Sequence, residues 1–64
     1  MVRINGIEED AAGMALKDYL EAKQYPAEGI AVECNEEILA KSQYGSYLLQ
    51  DGDVIEIVSF VGGG

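Results

Sequence analysis

The most constraining stretch is Val54-Ile55-Glu56-Ile57-Val58-Ser59-Phe60, close to the end of a chain of only 64 residues. It is rich in β-branched residues and reads as the strongest strand in the sequence. Ile55 and Ile57 share one face; Val54, Glu56, Val58 and Phe60 share the other. The strand follows a turn at Asp51-Gly52-Asp53 and runs without a cap into Val61-Gly62-Gly63-Gly64. A glycine run is entropically costly to order and contributes nothing to a core. The fold therefore has to be complete by Phe60.

Length leaves room for one domain. A domain this small buries only about 60% of the surface that its unfolded chain exposes. It has little room for both a core and a deep pocket, which disfavours an enzyme and favours a carrier, adaptor or binding module. Hydrophobic residues make up 48% of the chain, too many for a disordered acidic tail. Twelve Asp and Glu against four Lys and Arg give a formal net charge of −8. Arg3, Lys17, Lys23 and Lys41 are scattered singly. Nucleic acid and anionic membrane surfaces need clustered cations, so neither is expected as a partner. The charge fits a soluble monomer steered to basic protein partners, with solvation alone as the plainer explanation.

There is no His and a single Cys. Zinc sites, His-based triads and a disulfide framework are therefore not expected, and no metal ligand set is assigned. No basic segment followed by an apolar run marks a signal peptide, and the longest apolar stretch, Ala11 to Leu16, contains Gly13. The expected compartment is the cytoplasm. Cys34, in register with Ile30 and Val32, reads as a core residue rather than a persulfide carrier. A reactive thiol is favoured by nearby positive charge, and Glu33, Glu36 and Glu37 surround this one.

Met1 to Asn5 alternates, with Val2 and Ile4 on one face, and Asn5-Gly6 is a hairpin signal because type I′ turns need positive φ at both central residues. Ile7 to Glu9 is the return strand. Met14 to Lys23 is rich in helix formers; Ala15, Leu16, Tyr19, Leu20 and Lys23 fall on one side. Gly13 or Asp10 is expected near its N-cap, and Tyr25-Pro26 is expected to stop it. Ile30 to Cys34 alternates, Asn35-Glu36-Glu37 is a polar turn, and Ile38-Leu39 is a short strand. Tyr44 and Tyr47, three apart around Gly45, suit a short 3₁₀ turn on a core edge. The order is strand, strand, helix, strand, short strand, strand. If the first and last strands pair in parallel, the helix lies in the crossover between them. That is an α+β, β-grasp (ubiquitin-like) arrangement: a mixed sheet of four to five strands covered by one helix. Residues 1–60 are the domain and 61–64 a flexible Gly-rich tail.

The tail has a chemical use. A Gly64 α-carboxylate with no flanking Cβ can enter a narrow cleft. Four extended residues reach roughly 13–14 Å beyond the body. Threading them costs about 1–2 kcal/mol of backbone entropy per residue. Docking of the body has to offset that cost, so a surface interface is expected as well.

Asp51-Gly52-Asp53-Val54-Ile55-Glu56-Ile57-Val58-Ser59-Phe60-Val61-Gly62-Gly63-Gly64 resembles the C-terminus of the ThiS family, the sulfur carriers of thiamin biosynthesis. Ala31-Val32-Glu33-Cys34-Asn35 followed by Glu37-Ile38 is similar to the family's strand, turn and strand. The family is described by a terminal Gly-Gly; here three glycines end the sequence, and Gly63-Gly64 is the matching pair. The resemblance implies a carrier rather than an enzyme, with no cofactor bound. A ThiF-type adenylyltransferase uses ATP and magnesium to activate the Gly64 carboxylate. A persulfide made by a cysteine desulfurase then yields a thiocarboxylate, and thiazole synthase (ThiG-type) takes the sulfur. Gly62 and Gly63 form the tail.

Phe60 is the first choice of docking residue, an aromatic at the tail's root; folding over the open end of the core is its alternative. Val58 and Val61 are further docking candidates. Glu56 and Asp53 offer partners to Arg or Lys on another protein, or lie on a solvated face. Asp51-Gly52-Asp53 is far short of a calcium loop and reads as a turn. The alternatives within the resemblance are the small subunit of molybdopterin synthase, which shares the fold and Gly-Gly end, and a lysine-attached ubiquitin-like modifier. Outside it stands a β-grasp regulatory or binding module without covalent chemistry.

Overall fold

The computed structural model describes residues 1–26 and 28–60. Asn5 and Gly6 both take positive φ, 50° and 82°, which is the two-residue turn that the Asn-Gly pair encodes. The turn joins β1 (Val2–Ile4) to β2 (Ile7–Glu9) in antiparallel register, Val2 opposite Glu9 and Ile4 opposite Ile7. Next come α1 (Leu16–Ala22), β3 (Ile30–Cys34), β4 (Glu37–Leu39), a 3₁₀ turn (Lys41–Gln43) and β5 (Val54–Ser59). The sheet order is β2-β1-β5-β3-β4. β1 and β5 are parallel, with Arg3 opposite Val54 and Ile4 opposite Ile55. β5 and β3 are antiparallel from Ser59–Ile30 to Ile55–Cys34. The strand with the strongest β propensity is thus the central one of a mixed five-stranded sheet, and the connection from the β1–β2 hairpin to the strands on the far side of β5 carries the helix.

The core lies between α1 and one face of the sheet. Leu16, Tyr19 and Leu20 from the helix meet Val2, Ile4, Val32, Cys34, Ile55 and Ile57, with Ala11, Tyr44 and Leu49 closing the ends. Leu16, Val2, Val32 and Ile55 are completely buried; each such side chain contributes roughly 1.5–3 kcal/mol. The alternation expected for Ile55 and Ile57, and for Ile30, Val32 and Cys34, is met: these residues face the helix, while Val54, Glu56 and Val58 are exposed.

Three local expectations differ from the structure. The helix starts at Leu16 with Ala15 as N-cap and no side-chain cap, so neither Gly13 nor Asp10 caps it. Gly13 sits at φ 93° in a turn, and its N–H, like the Met14 carbonyl, is engaged by Leu49 at 2.7 and 2.8 Å. The segment before the helix is held by tertiary hydrogen bonds, which compete with a helical first turn. The helix also stops before the Tyr25-Pro26 pair. Gln24 takes φ 63°; Tyr25 N–H donates to Leu20 C=O at 2.9 Å and Gln24 N–H to Glu21 C=O at 3.0 Å. That pair of bonds is a Schellman cap, normally built on glycine. Lys23 is consequently exposed rather than on the buried face, its ammonium 3.8 Å from Glu9 and 5.9 Å from the centre of the Tyr19 ring. The 3₁₀ turn precedes Tyr44 instead of centring on Gly45; Tyr44 is buried and Tyr47 half-buried.

Candidate functional site

Any site at the chain's end depends on how β5 is held. In β5 the N–H groups of alternate residues point to opposite neighbours. Toward β3 the ladder runs to the end: Asn35 N–H donates to Val54 C=O at 2.8 Å, and Phe60 N–H to Gly29 C=O at 2.8 Å. Toward β1 the ladder ends early, because the chain turns at Asn5. Asn5 N–H donates to Ile55 C=O at 2.9 Å. The next rung is made by a side chain: Ile57 N–H donates to Asn5 Oδ1 at 2.7 Å. Asn5 Nδ2 in turn donates to Ile57 C=O and to the Tyr25 hydroxyl, both at 3.3 Å. The amide stands in for one more residue of β1.

A second asparagine holds the other end of β5. Asn35, at φ 52° in the β3–β4 turn, accepts from Val54 N–H through Oδ1 at 2.9 Å and donates through Nδ2 to Asp53 Oδ1 at 3.0 Å. Asp53 is 7% exposed. Its other oxygen accepts from Gln50 N–H at 2.9 Å and from the Tyr47 hydroxyl at 2.5 Å. Tyr47 receives the Cys34 thiol at 3.2 Å. Burial pushes the Asp53 carboxyl up, but the bonds from Tyr47, Asn35 and Gln50 outweigh it and hold it below its ordinary value. The same hydrogen bond to Asp53, then the Cys34 contact and burial, push the Tyr47 hydroxyl up. Burial followed by the Glu9 carboxylate pushes Tyr19 up to about 12. Asp53 is therefore a structural anchor of the turn, not the solvated or partner-facing carboxylate expected of it. Cys34 is buried as expected.

The sheet face away from the helix is open. Val54, Val58, Phe60 and Ile38 are exposed on it. Phe60 is 66% exposed, so it does not fold over the end of the core. Ala31 lies opposite Val58, and Glu33 opposite both Glu56 and Ile38. Glu33 and Glu56 face each other as a hydrogen-bonded pair, with Cα atoms about 5.5 Å apart, and like charges so placed repel. Among the described residues neither joins an ion pair; Arg3 on the same face pairs with Glu8 at 2.8 Å. Of the residues expected at the site, Val58 and Phe60 thus share this face. Val61, Gly62, Gly63 and Gly64 lie outside the described residues. Sequence reasoning missed Asn5 and Asn35 as strand holders. Their signal was visible as an asparagine at the first position of each hairpin turn.

On the helix side, an open groove of about 320 Å³ runs over Leu20, Tyr25, Ile30 and Tyr44 with Lys17 and Lys41 at its rim. No group of three or more His, Cys, Asp or Glu side chains converges to hold a metal among the described residues. Nor is any helix there long and apolar enough to cross a membrane.

A mixed sheet in the order β2-β1-β5-β3-β4, crossed by one helix and carrying its last strand at the centre, defines a β-grasp protein of the ubiquitin-like class. The model of the ThiS family matches residues 2–64, and the chain belongs to that family. It is 38% identical over 64 residues to the sulfur carrier protein ThiS of Thermus thermophilus, covering 100% of both chains. It is also 38% identical over 64 residues to a thiazole synthase of Magnetococcus marinus, covering 98% of this chain and 20% of that protein. The chain thus spans one fifth of the length of that relative. The crystal structure of thiamine biosynthesis protein ThiS from Geobacter metallireducens matches with a TM-score of 0.76 at 30% identity, over 98% of this chain and 97% of that one.

Proposed function

We propose that this chain is a sulfur carrier of thiamin biosynthesis, a co-substrate whose reactive group is the Gly64 carboxylate. The observation that carries the reading is the end-to-end match to a protein named as a sulfur carrier, within a family match that runs through Gly63 and Gly64. A carboxylate is a poor acyl donor because its leaving group is oxide. A ThiF-type adenylyltransferase, using ATP and magnesium, converts it to an acyl-adenylate with release of pyrophosphate. A persulfide sulfur supplied through a cysteine desulfurase attacks the carbonyl and displaces AMP. Thiol cleavage of the resulting acyl disulfide leaves the Gly64 thiocarboxylate. The catalytic groups belong to the partners; this chain supplies the handle and the docking surface, in the cytoplasm and as a monomer when free.

Thiazole synthase is the proposed sulfur acceptor. A relative of that name contains, in one polypeptide, a segment similar to nearly the whole of this chain. That arrangement favours the thiamin reading over the molybdopterin one. Docking uses the open sheet face, with Val58 and Phe60 as anchors and Val61 as a further contact, while Gly62-Gly63 pass through the narrow entrance of the partner.

The test is intact-mass measurement after incubation with a ThiF-type enzyme, ATP, magnesium, a cysteine desulfurase and cysteine. The expected product carries one oxygen-to-sulfur exchange localised to Gly64, and deletion of Gly64 abolishes it without unfolding the domain. No exchange, from enzymes shown to be active on another carrier, overturns the proposal.

A further inference from the structure

We propose that Asn5 is a positioning residue for carrier loading: its side-chain amide is the last hold on the β1 side of the strand that delivers the tail. The inference rests on the sulfur-carrier reading above. β1 ends at Ile4, whereas β5 continues to Ser59. Beyond Ile55 no backbone group of β1 faces β5 in the ladder, and the rung at Ile57 is made by Asn5 Oδ1 at 2.7 Å and Nδ2 at 3.3 Å. The left-handed φ of 50° at Asn5 turns the main chain away and leaves the side chain pointing along the line that the strand has left. Tyr25 is tied in through its hydroxyl, 3.3 Å from Nδ2, so the loop after the helix shares the hold.

Phe60 follows three residues after Ile57, and the residues to Gly64 add at most roughly 13–14 Å of reach. Loss of the Asn5 hold frees the β1 side of β5 to turn about its β3 partners, which moves Phe60 and so the point on the docked body from which the tail is threaded. Attack on ATP requires the carboxylate in line with the α-phosphate, and a misplacement of about 1 Å can cost about 100-fold in rate. The hold at Asn5 acts on that geometry without touching the reacting atoms. Asn35 gives a matched control. It grips the same strand through the same kind of bond, at Val54, three residues further from the tail than Ile57.

The experiment uses the full chain with a ThiF-type enzyme, ATP, magnesium, a cysteine desulfurase, cysteine and a thiol reductant, and follows AMP release against carrier concentration below the melting point of every variant. Asn5→Ala is expected to lower kcat by at least about tenfold with KM within about threefold. Asn35→Ala is expected to leave kcat within about twofold of the wild type. Asn5→Asp, which keeps an acceptor for Ile57 N–H, is expected to restore most of the lost kcat, and it carries the test if the alanine variant does not fold. Amide exchange at Ile57 is expected to accelerate in Asn5→Ala and not in Asn35→Ala. Wild-type kcat in Asn5→Ala, an equal loss in Asn35→Ala, or no restoration by Asn5→Asp overturns the assignment. Failure of the wild-type chain to be adenylated overturns the carrier reading instead, so the two failures are distinct.

Discussion

Asp53 shows how one residue's role depends on its neighbours in space. In sequence it is half of an Asp-Gly-Asp turn. In the fold it is nearly enclosed and receives three donors, from Tyr47, Asn35 and Gln50. Tyr47→Phe removes the shortest of these and leaves the Cys34 thiol without its acceptor. The expected cost is roughly 1–3 kcal/mol, seen as a lower midpoint in thermal melts at neutral pH; an unchanged midpoint contradicts the network. The pH dependence has a definite sign. The folded Asp53 pKa lies below the ordinary value of 3.8, so its ionised form stabilises the fold. That contribution is complete above the unfolded pKa and is lost as pH falls through the lower folded value. The gap between wild type and Tyr47→Phe is expected to narrow over that acid range, measured by urea melts at successive pH values. None of this was legible in the sequence, because the β3–β4 turn that carries Asn35 meets the loop that carries Tyr47 and Asp53 only in the folded chain. Cys34 was legible, since alternation with Ile30 and Val32 alone buries it.

The strands, the single helix and their order follow from local pattern, because apolar periodicity decides which face of each element can be buried. The helix termini do not. Ala15 and Gln24 mark them for reasons outside the helix: tertiary bonds before it and a left-handed residue after it. Gln24 at φ 63° carries the strain that a side chain meets in that region. Gln24→Gly is therefore expected to stabilise the domain by about 1 kcal/mol, or about 4–8 °C for a chain of this size. A lowered melting point overturns the Schellman assignment. Glu36 at φ 73°, in the β3–β4 turn, is a second place where glycine fits the backbone better than the residue present.

At the scale of the whole molecule, the open sheet face is where stability and binding diverge. Val54, Val58, Phe60 and Ile38 are exposed there around the opposed Glu33 and Glu56. Phe60→Ala is expected to change the fold's stability by less than about 0.5 kcal/mol. It is expected to weaken association with the adenylating partner by about 2 kcal/mol, the usual loss for a buried aromatic anchor. Calorimetry on the complex and melts of the free domain separate the two. Added salt is expected to weaken the same association, since a net charge of −8 favours a basic partner surface; binding indifferent to salt removes the role proposed for the charge. The sequence by itself determined the order of elements, the buried faces and the glycine run after the last strand, because each depends on residues close together in the chain. Only the tertiary structure decided which side chains hold β5: Asn5 reaches Ile57 across 52 positions, and Asn35 reaches Val54 across 19. A hydrogen bond depends on where two groups meet in space, and for groups so far apart in sequence that meeting exists only after the sheet has formed.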